Sequence, residues 1–125
     1  MSIEMEENPA YLENLLGGLD STIHEPVRLG ILTLLHLNSS LTFSVLQKGL
    51  GVTSGNLNSH LTKLVSVGFV EQEKTFVNVR PRTVVHITSE GRKALKKYTK
   101  SLKIVLVGIE RGTTKKSPVD QKAPE

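Results

Sequence analysis

Residues 42–91 combine two short helix patterns, a tight corner and two strand patterns, in that order. The first helix pattern runs from Thr42 to Gly51, where the glycine predicts a stop. The corner occupies residues 52–54, and the second helix pattern runs from Gly55 to Gly68. A connection of about three residues forces the second helix sharply away from the first. This order restricts the chain to folds in which two angled helices precede a β-hairpin.

Two runs predict the paired strands of that hairpin, and the second run is rich in β-branched side chains. They cover residues 69–74 and 83–88. The segment between them, residues 75–82, is predicted to be a loop, because Pro81 stiffens the backbone and has no N–H to donate to internal pairing. Arg80 and Arg82 flank this proline. We therefore predict an α+β fold, mainly α: a winged helix-turn-helix, which commonly holds a helix in the major groove of DNA.

The second helix pattern has one apolar face and one small polar face. Leu57, Leu61 and Leu64 recur at i, i+4 and i+7, so they define the face that packs on the core. The opposite face carries Gly, Ser, Thr and Asn, with Lys63 as its one charge and no acid between residues 53 and 70. Small side chains that donate and accept hydrogen bonds suit base edges in the major groove. An ordinary solvated face is the alternative, although such faces are usually rich in Glu and Lys.

Two helices are predicted before this region and one after it. The first covers residues 9–16, and the second, residues 26–37, is apolar nearly all round and therefore central. The last helix follows a cap at Thr88 or Ser89 and carries apolar residues at alternating steps of three and four. Packing on the core of the same domain would explain the first half of this seam, whereas its second half is too apolar to be left in water. We interpret the seam as a homodimer contact shared with the first helix, so both are predicted dimerisation helices. The predicted contact residues are Leu12, Leu15, Leu16, Tyr98, Leu102, Val105, Leu106 and Ile109.

Length and composition bound the organisation of the chain. Its 125 residues are expected to form one domain at 9–110, between an acidic tail at 1–8 and a disordered tail at 111–125. Residues 1–25 hold six acids and no Lys or Arg, whereas all 16 Lys and Arg follow, against six acids. A basic body suits a polyanionic partner. The sequence shows no leader, no membrane-spanning run and no cysteine, so we predict a cytoplasmic protein.

Composition and spacing also argue against catalysis and metal binding. The sequence contains no glycine-rich phosphate loop, no paired carboxylates in a predicted cleft and no nucleophile–base constellation. We therefore predict that the protein is not an enzyme. Its four His residues lie in four different predicted elements, without i, i+3 or i+4 pairing. We expect neither a metal site nor a cofactor.

Several short motifs follow one another between residues 19 and 102. They are the run 19–32, Phe43-x-x-Leu46, Thr53-x-Gly55-Asn-Leu-x-x-His60-Leu-x-x-Leu64, Gly68-Phe-Val, Arg80-Pro-Arg-Thr83 and Ile87-Thr88-x-x-Gly91. Together they resemble the winged-helix regulators of MarR/ArsR type, and in particular their small one-domain members in archaea and bacteria. The chain departs from the metal-sensing members, which use Cys clusters or grouped His and acidic ligands. The resemblance implies a homodimer that binds a pseudo-palindromic operator in double-stranded DNA and controls transcription.

The resemblance further implies which residues face DNA. The residues concerned are Ser54, Gly55, Asn56, Asn58, Ser59, Thr62 and Lys63 on the recognition helix, with Arg80 and Arg82 on the wing. The recognition helix, about 54–67, would enter the major groove, and the wing, about 75–82, would lie on the backbone or in the minor groove. Lys48, Lys74 and Arg92 are further candidates for phosphate contacts.

Three other functions are compatible with these residues. One is an architectural DNA-binding protein with low sequence specificity, and another is a winged-helix module that binds a partner protein. An RNA-binding winged helix is the third and most distant one. The polar face of the second helix pattern is neither acidic nor apolar, which favours DNA over a protein partner. The operator, the regulated genes, the sign of regulation and any small-molecule effector are left open.

Overall fold

The computed structural model describes the backbone of residues 16–122 and the side chains of residues 16–112. The chain divides into two compact units: residues 20–96, and the residues on either side of them. In chain order the elements are α1 (Pro26–Asn38), β1 (Ser40–Thr42), α2 (Phe43–Leu50), α3 (Ser54–Ser66), β2 (Val70–Val77), β3 (Arg80–Ile87) and α4 (Ser89–Lys122). The α+β winged helix-turn-helix predicted from the sequence is confirmed.

The helix α1 is the central helix of the unit formed by residues 20–96. Pro26 stands in its first turn, where a missing N–H costs nothing. The side chain of Glu25 caps this end by accepting a hydrogen bond from the backbone N–H of Arg28 at 2.7 Å. The helix buries Ile31, Leu32 and Leu35, as its nearly continuous apolar pattern predicts.

Local caps produce the sharp corner between α2 and α3. The hydroxyl of Thr42 accepts a hydrogen bond from Val45 N at 3.2 Å and starts α2. Gly51 ends that helix with φ at 67°, a left-handed conformation in which glycine has no Cβ to clash. Thr53 then caps α3, because its hydroxyl accepts a hydrogen bond from Asn56 N at 3.0 Å. The predicted corner and both helices are confirmed.

Three antiparallel strands form one sheet in the order β1-β3-β2. The strand β1 is absent from the sequence-based prediction, because three residues are too few to show an alternating pattern. It forms by pairing with residues 84–86 of β3. The sheet and α1–α3 enclose the core of this unit. Its fully buried residues are Ile23, Ile31, Leu32, Leu35, Leu46, Leu57, Leu61, Leu64, Val70 and Val85.

The wing, residues 75–82, is a regular hairpin end and not the loop predicted from the sequence. The strands β2 and β3 continue to a two-residue turn at Asn78 and Val79, so Arg80 and Arg82 lie in β3. Pro81 stands opposite Phe76 in the register of the two strands. The prediction was wrong because β1 pairs only with residues 84–86 of β3 and leaves the edge at Pro81 open, and a proline is tolerated where its missing N–H faces an open edge.

The last helix starts as predicted and ends later. Thr88 is its cap, since its hydroxyl accepts a hydrogen bond from Gly91 N at 2.9 Å. The helix runs to Lys122, past the predicted end at residue 110 and through much of the predicted tail. The disordered tail stays a prediction for residues 123–125, which lie outside the described residues.

The predicted first helix lies almost wholly outside the described residues. Of residues 9–16 only Leu16 is described, and it is helical together with Gly17. Within the described part of the chain, no helix has the length and apolar character needed to cross a membrane.

Candidate nucleic-acid interface

The helix α3 presents a small polar face to solvent. Leu57, Leu61 and Leu64 are fully buried and hold the helix on the core of the unit. The predicted DNA-facing residues of this helix are all exposed: Ser54, Gly55, Asn56, Asn58, Ser59, Thr62 and Lys63. Lys63 is the one charged residue among them, and α3 contains no acid. This face therefore combines hydrogen-bonding groups, little bulk and no negative charge.

A polar cluster ties the middle of α3 to the start of α1. Arg28 Nη1 lies 3.1 Å from His60 Nδ1, and Arg28 Nε donates a hydrogen bond to the carbonyl oxygen of Thr22 at 2.5 Å. Glu25 Oε1 lies 3.7 Å from the same nitrogen of His60. Because a guanidinium can only donate, His60 Nδ1 is the acceptor in its contact with Arg28. The cluster fixes α3 through a polar contact in addition to its three leucines.

Sequence reasoning missed Arg28 as a residue that positions α3. Arg28 and His60 are 32 positions apart, and neither carries a local signal that would pair them. The sequence places His60 at the edge of the apolar stripe of α3, and the structure shows that its side chain is mostly buried there. This contact is a consequence of how α1 crosses α3.

The two arginines of the wing share one face of the hairpin. Arg82 stands opposite Thr75, and Arg80 stands opposite Val77. Since residues two apart in a strand point to the same face, both guanidinium groups lie on one side of the hairpin. Both are exposed. Among the described residues, neither side chain forms a hydrogen bond or an ion pair, so both charges are available to a ligand.

The end of the wing also carries exposed apolar side chains that sequence reasoning did not single out. Phe76 is 71% exposed and Val79 is 93% exposed, with Val77 beside them. The sequence signal that could have indicated them is the continuation of the β2 strand through Phe76 and Val77, which the predicted loop assignment interrupted. The wing thus presents both positive charge and an apolar tip.

Arg92 has a structural role that argues against a phosphate contact. Its Nη1 lies 3.0 Å from His36 Nδ1 and donates to the carbonyl oxygen of His36 at 3.3 Å. Its Nη2 donates to Ser39 Oγ at 3.0 Å. The positive side chain therefore lies at the C-terminal end of α1, where it compensates the partial negative charge of the helix end.

The predicted dimer residues fall into four groups. Leu12 and Leu15 lie outside the described residues. Tyr98 is buried within its own chain, and this burial raises the pKa of its hydroxyl above the usual 10.0. Leu102 and Val105 are half-buried. Leu16, Leu106 and Ile109 are exposed, the last two at 50% and 61%. The first half of the α4 seam is thus already packed, and its second half is open.

Among the described residues, no group of three or more His, Asp or Glu side chains is placed to hold a metal ion. His86 Nε2 lies 2.6 Å from Glu73 Oε1 on the sheet, which is a pair and not a ligand set. His36 and His60 are engaged with Arg92 and Arg28.

Comparisons with known proteins agree with this architecture. A family model described as a winged helix DNA-binding domain matches residues 27–106. The uncharacterized protein MJ0432 of Methanocaldococcus jannaschii is 43% identical over 72 residues, which are 58% of this chain and 78% of that protein.

Solved structures show the same fold. The transcriptional regulator homologue protein from Pyrococcus horikoshii OT3 is 41% identical, with a TM-score of 0.72 over 78% of this chain and 97% of that one. The overoxidized AbfR protein bound to DNA shares 14% identity and a TM-score of 0.62, over 89% of this chain and 82% of that one. The family is one of DNA-binding regulators and not a class of enzymes. The resemblance to winged-helix regulators is thus confirmed, and the chain belongs to the winged helix DNA-binding domain family of transcriptional regulators.

Proposed function

We propose that the protein is a sequence-specific transcriptional regulator that acts in the cytoplasm as a homodimer on a pseudo-palindromic DNA operator. The observation that carries this proposal is the exposed face of α3, which is small, polar and free of acids. It belongs to the same unit as a wing with two unengaged arginines.

The side chains of α3 suit direct reading of bases. Asn56 and Asn58 carry amides, which bind the N6 and N7 edge of adenine in the major groove. Gly55 and Ser59 add little bulk, so they allow the helix backbone to approach the base edges closely. The N-terminus of α3 also carries partial positive charge, which favours a nearby phosphate.

The wing arginines suit the DNA backbone. Arg80 and Arg82 share one exposed face, so one strand of phosphates can be contacted by both. Each phosphate that is neutralised releases condensed counterions and adds about 0.9 to the salt slope of binding. These contacts contribute affinity without reading sequence.

Exposed apolar residues on α4 support the homodimer. Ile104, Leu106, Val107 and Ile109 are all at least 42% exposed in the single chain. Pairing two copies of this segment would remove that apolar surface from water. In a two-fold dimer the two α3 helices would enter major grooves one helical turn apart, roughly 34 Å.

The related proteins agree with this use of the fold. The relative from Pyrococcus horikoshii is described as a transcriptional regulator homologue. AbfR, which shares the fold at low identity, was solved bound to DNA.

Fluorescence anisotropy tests the proposal, using a labelled duplex from the region upstream of the protein's own gene, a pool of random duplexes and a salt series. We expect a preferred sequence, enriched from the pool, to bind at least a hundredfold more tightly than a scrambled duplex at physiological salt. Equal binding to every duplex would indicate the architectural alternative. Binding to none would contradict a role on DNA and favour a partner protein.

The variant Arg80→Ala/Arg82→Ala separates backbone contacts from base contacts. We expect it to weaken binding to all duplexes alike and to lower the salt slope by about 0.9 for each phosphate that is no longer neutralised. The control Lys97→Ala/Lys100→Ala removes the same charge from α4 and should leave the slope nearly unchanged. A loss of affinity confined to one operator would contradict the role assigned to the wing arginines.

A further inference from the structure

The end of the wing combines features that point to a second mode of DNA contact. We call residues 76–79, Phe-Val-Asn-Val, the wing tip. We propose that the wing tip inserts an apolar side chain into the minor groove and partly unstacks a base step, so that the bound operator is kinked. This inference rests on the proposed function, because it names how the same protein deforms the DNA that it binds.

The apolar side chains of the wing tip do not contribute to the buried core, so folding of the chain does not explain why they are apolar. The buried residues of the hairpin, Val70 and Val85, lie at its other end. Phe76 shares their face of the sheet, yet it is 71% exposed, and its cross-strand partner Pro81 is exposed as well. Val79 is 93% exposed at the apex. Apolar side chains that are this exposed at the end of a hairpin can insert into a binding partner.

The turn at the apex places its valine at a conformational cost. Asn78 and Val79 have φ values of 52° and 59°, so both central residues of this two-residue turn are left-handed. Asn tolerates this conformation, whereas a β-branched residue rarely adopts it. Backbone strain of this kind persists where the surrounding structure imposes it, and such sites cluster at ligand contacts. The strained valine is also the most exposed apolar side chain of the wing.

The charge next to the wing tip indicates the chemistry of the partner. Arg80 immediately follows the tip, and Arg82 lies two residues further along β3, on the face that Arg80 shares with Val77, whereas Phe76 lies on the opposite face of the hairpin. Both guanidinium groups are unengaged among the described residues. An apolar point flanked by unpaired positive charge matches the minor groove, whose floor is formed by stacked bases and whose walls are phosphates. Architectural proteins kink DNA in this way, with Phe, Leu, Ile, Met or Pro as the wedge.

The direction of the expected kink is compatible with the placement of α3. Wedges in the minor groove bend the duplex toward the major groove. In the proposed function the major groove is the one that α3 occupies, and α3 packs directly on β2. A kink at the wing tip would therefore curve the DNA toward the recognition helix and add contacts to it.

The test is a double variant of the tip, Phe76→Ala/Val79→Asn, compared with the unchanged protein on the preferred operator. Bending is read from energy transfer between dyes on the two duplex ends, and unstacking from the fluorescence of 2-aminopurine placed in the flanking steps. The unchanged protein should bend the operator by roughly 20–90° and raise the 2-aminopurine signal at one step in each half-site.

We expect the tip variant to lose most of the bend and the 2-aminopurine signal, and to bind roughly tenfold more weakly, with the same salt slope. The slope should persist because both arginines are retained. The variant should fold at least as well, since Asn tolerates the left-handed conformation at position 79. The control Leu37→Ala removes an apolar side chain from the end of α1 that is 72% exposed, nearly as much as Phe76, and it should leave bending unchanged.

Three outcomes overturn the inference. Binding of the preferred operator by the unchanged protein without bending or unstacking would refute the wedge and leave the proposed function intact. Loss of dimer mass in the tip variant, measured by sedimentation equilibrium, would show that the tip contacts a second copy of the chain. Failure of the unchanged protein to bind any duplex would refute the wedge together with the proposed function.

Discussion

At the scale of single residues, Gly91 and Thr88 control how α4 leaves the sheet. The hydroxyl of Thr88 donates a hydrogen bond to the carbonyl oxygen of Gly68 at 2.7 Å and accepts one from Gly91 N. The backbone N–H of Thr88 donates to the carbonyl oxygen of Phe69 at 3.0 Å. These bonds hold the first turn of α4 against the connection between α3 and β2. A side chain at position 91 would stand in the space between them.

We expect Gly91→Ala to destabilise the protein by roughly 1–3 kcal/mol. Its Cβ would overlap the carbonyl oxygen of Phe69 and lie 3.0 Å from Ile87 Cγ1, and a backbone oxygen cannot move aside as a flexible side chain can. Urea unfolding followed by circular dichroism measures the change.

The matched control is Gly55→Ala, at a helical position with nothing within 4 Å of the added Cβ. It should raise the free energy of unfolding by up to about 1 kcal/mol, because alanine loses less backbone entropy. Equal stability of the two variants would contradict the close approach at Gly91.

At the scale of elements, α3 is placed by two local caps and by one distant pair. Gly51 and Thr53 define where the corner ends and where the recognition helix begins. The Arg28–His60 contact then sets the middle of the helix relative to α1. The proposed reading of DNA by α3 requires both, because its side chains would have to meet base edges within hydrogen-bond distance.

We expect Thr53→Ala to cost about 1 kcal/mol of stability, since Asn56 N loses the hydroxyl that caps it. Thr53→Ser keeps the cap and should lose far less. Thermal unfolding of the two variants, measured side by side, checks the prediction. A cost that is the same for Ser and Ala would mean that the missing methyl group, and not the cap, is responsible.

At the scale of the whole molecule, the second half of the apolar seam on α4 is not buried by the residues of its own chain. Tyr98 and Leu95 are buried, while Leu106 and Ile109 stand in solvent. Lone exposed apolar residues are ordinary, but a contiguous group on one helix is typical of an interface.

We expect Leu106→Glu/Ile109→Glu to convert a dimer into a monomer, because each buried seam would then contain unpaired carboxylates. Sedimentation equilibrium should show twice the chain mass for the unchanged protein and the chain mass for the variant. The variant should also lose affinity for a palindromic operator more than for a half-site. Lys100→Glu/Lys103→Glu, at exposed polar positions of the same helix, is the control and should remain dimeric. A monomeric unchanged protein would refute the dimer.

Signals local in the sequence determined the helix-turn-helix and the polar face of α3. Thr42, Gly51 and Thr53 each act on groups within a few residues, and the leucine spacing of α3 defines one face by helical geometry alone. The corner, the bounds of α3 and the exposure of its polar residues follow from those signals, so they were predictable.

Only the tertiary structure decided the elements and contacts that depend on distant partners. The strand β1 exists because residues 84–86 are there to pair with it, and the wing is regular because β2 supplies a partner to residues 80–82. Arg28 meets His60, and Arg92 meets His36, through packing between elements far apart in the chain. Hydrogen bonds of this kind depend on the partner that the fold brings near. The sequence around each of these residues therefore does not determine which partner it pairs with, because the fold decides which partner lies near it.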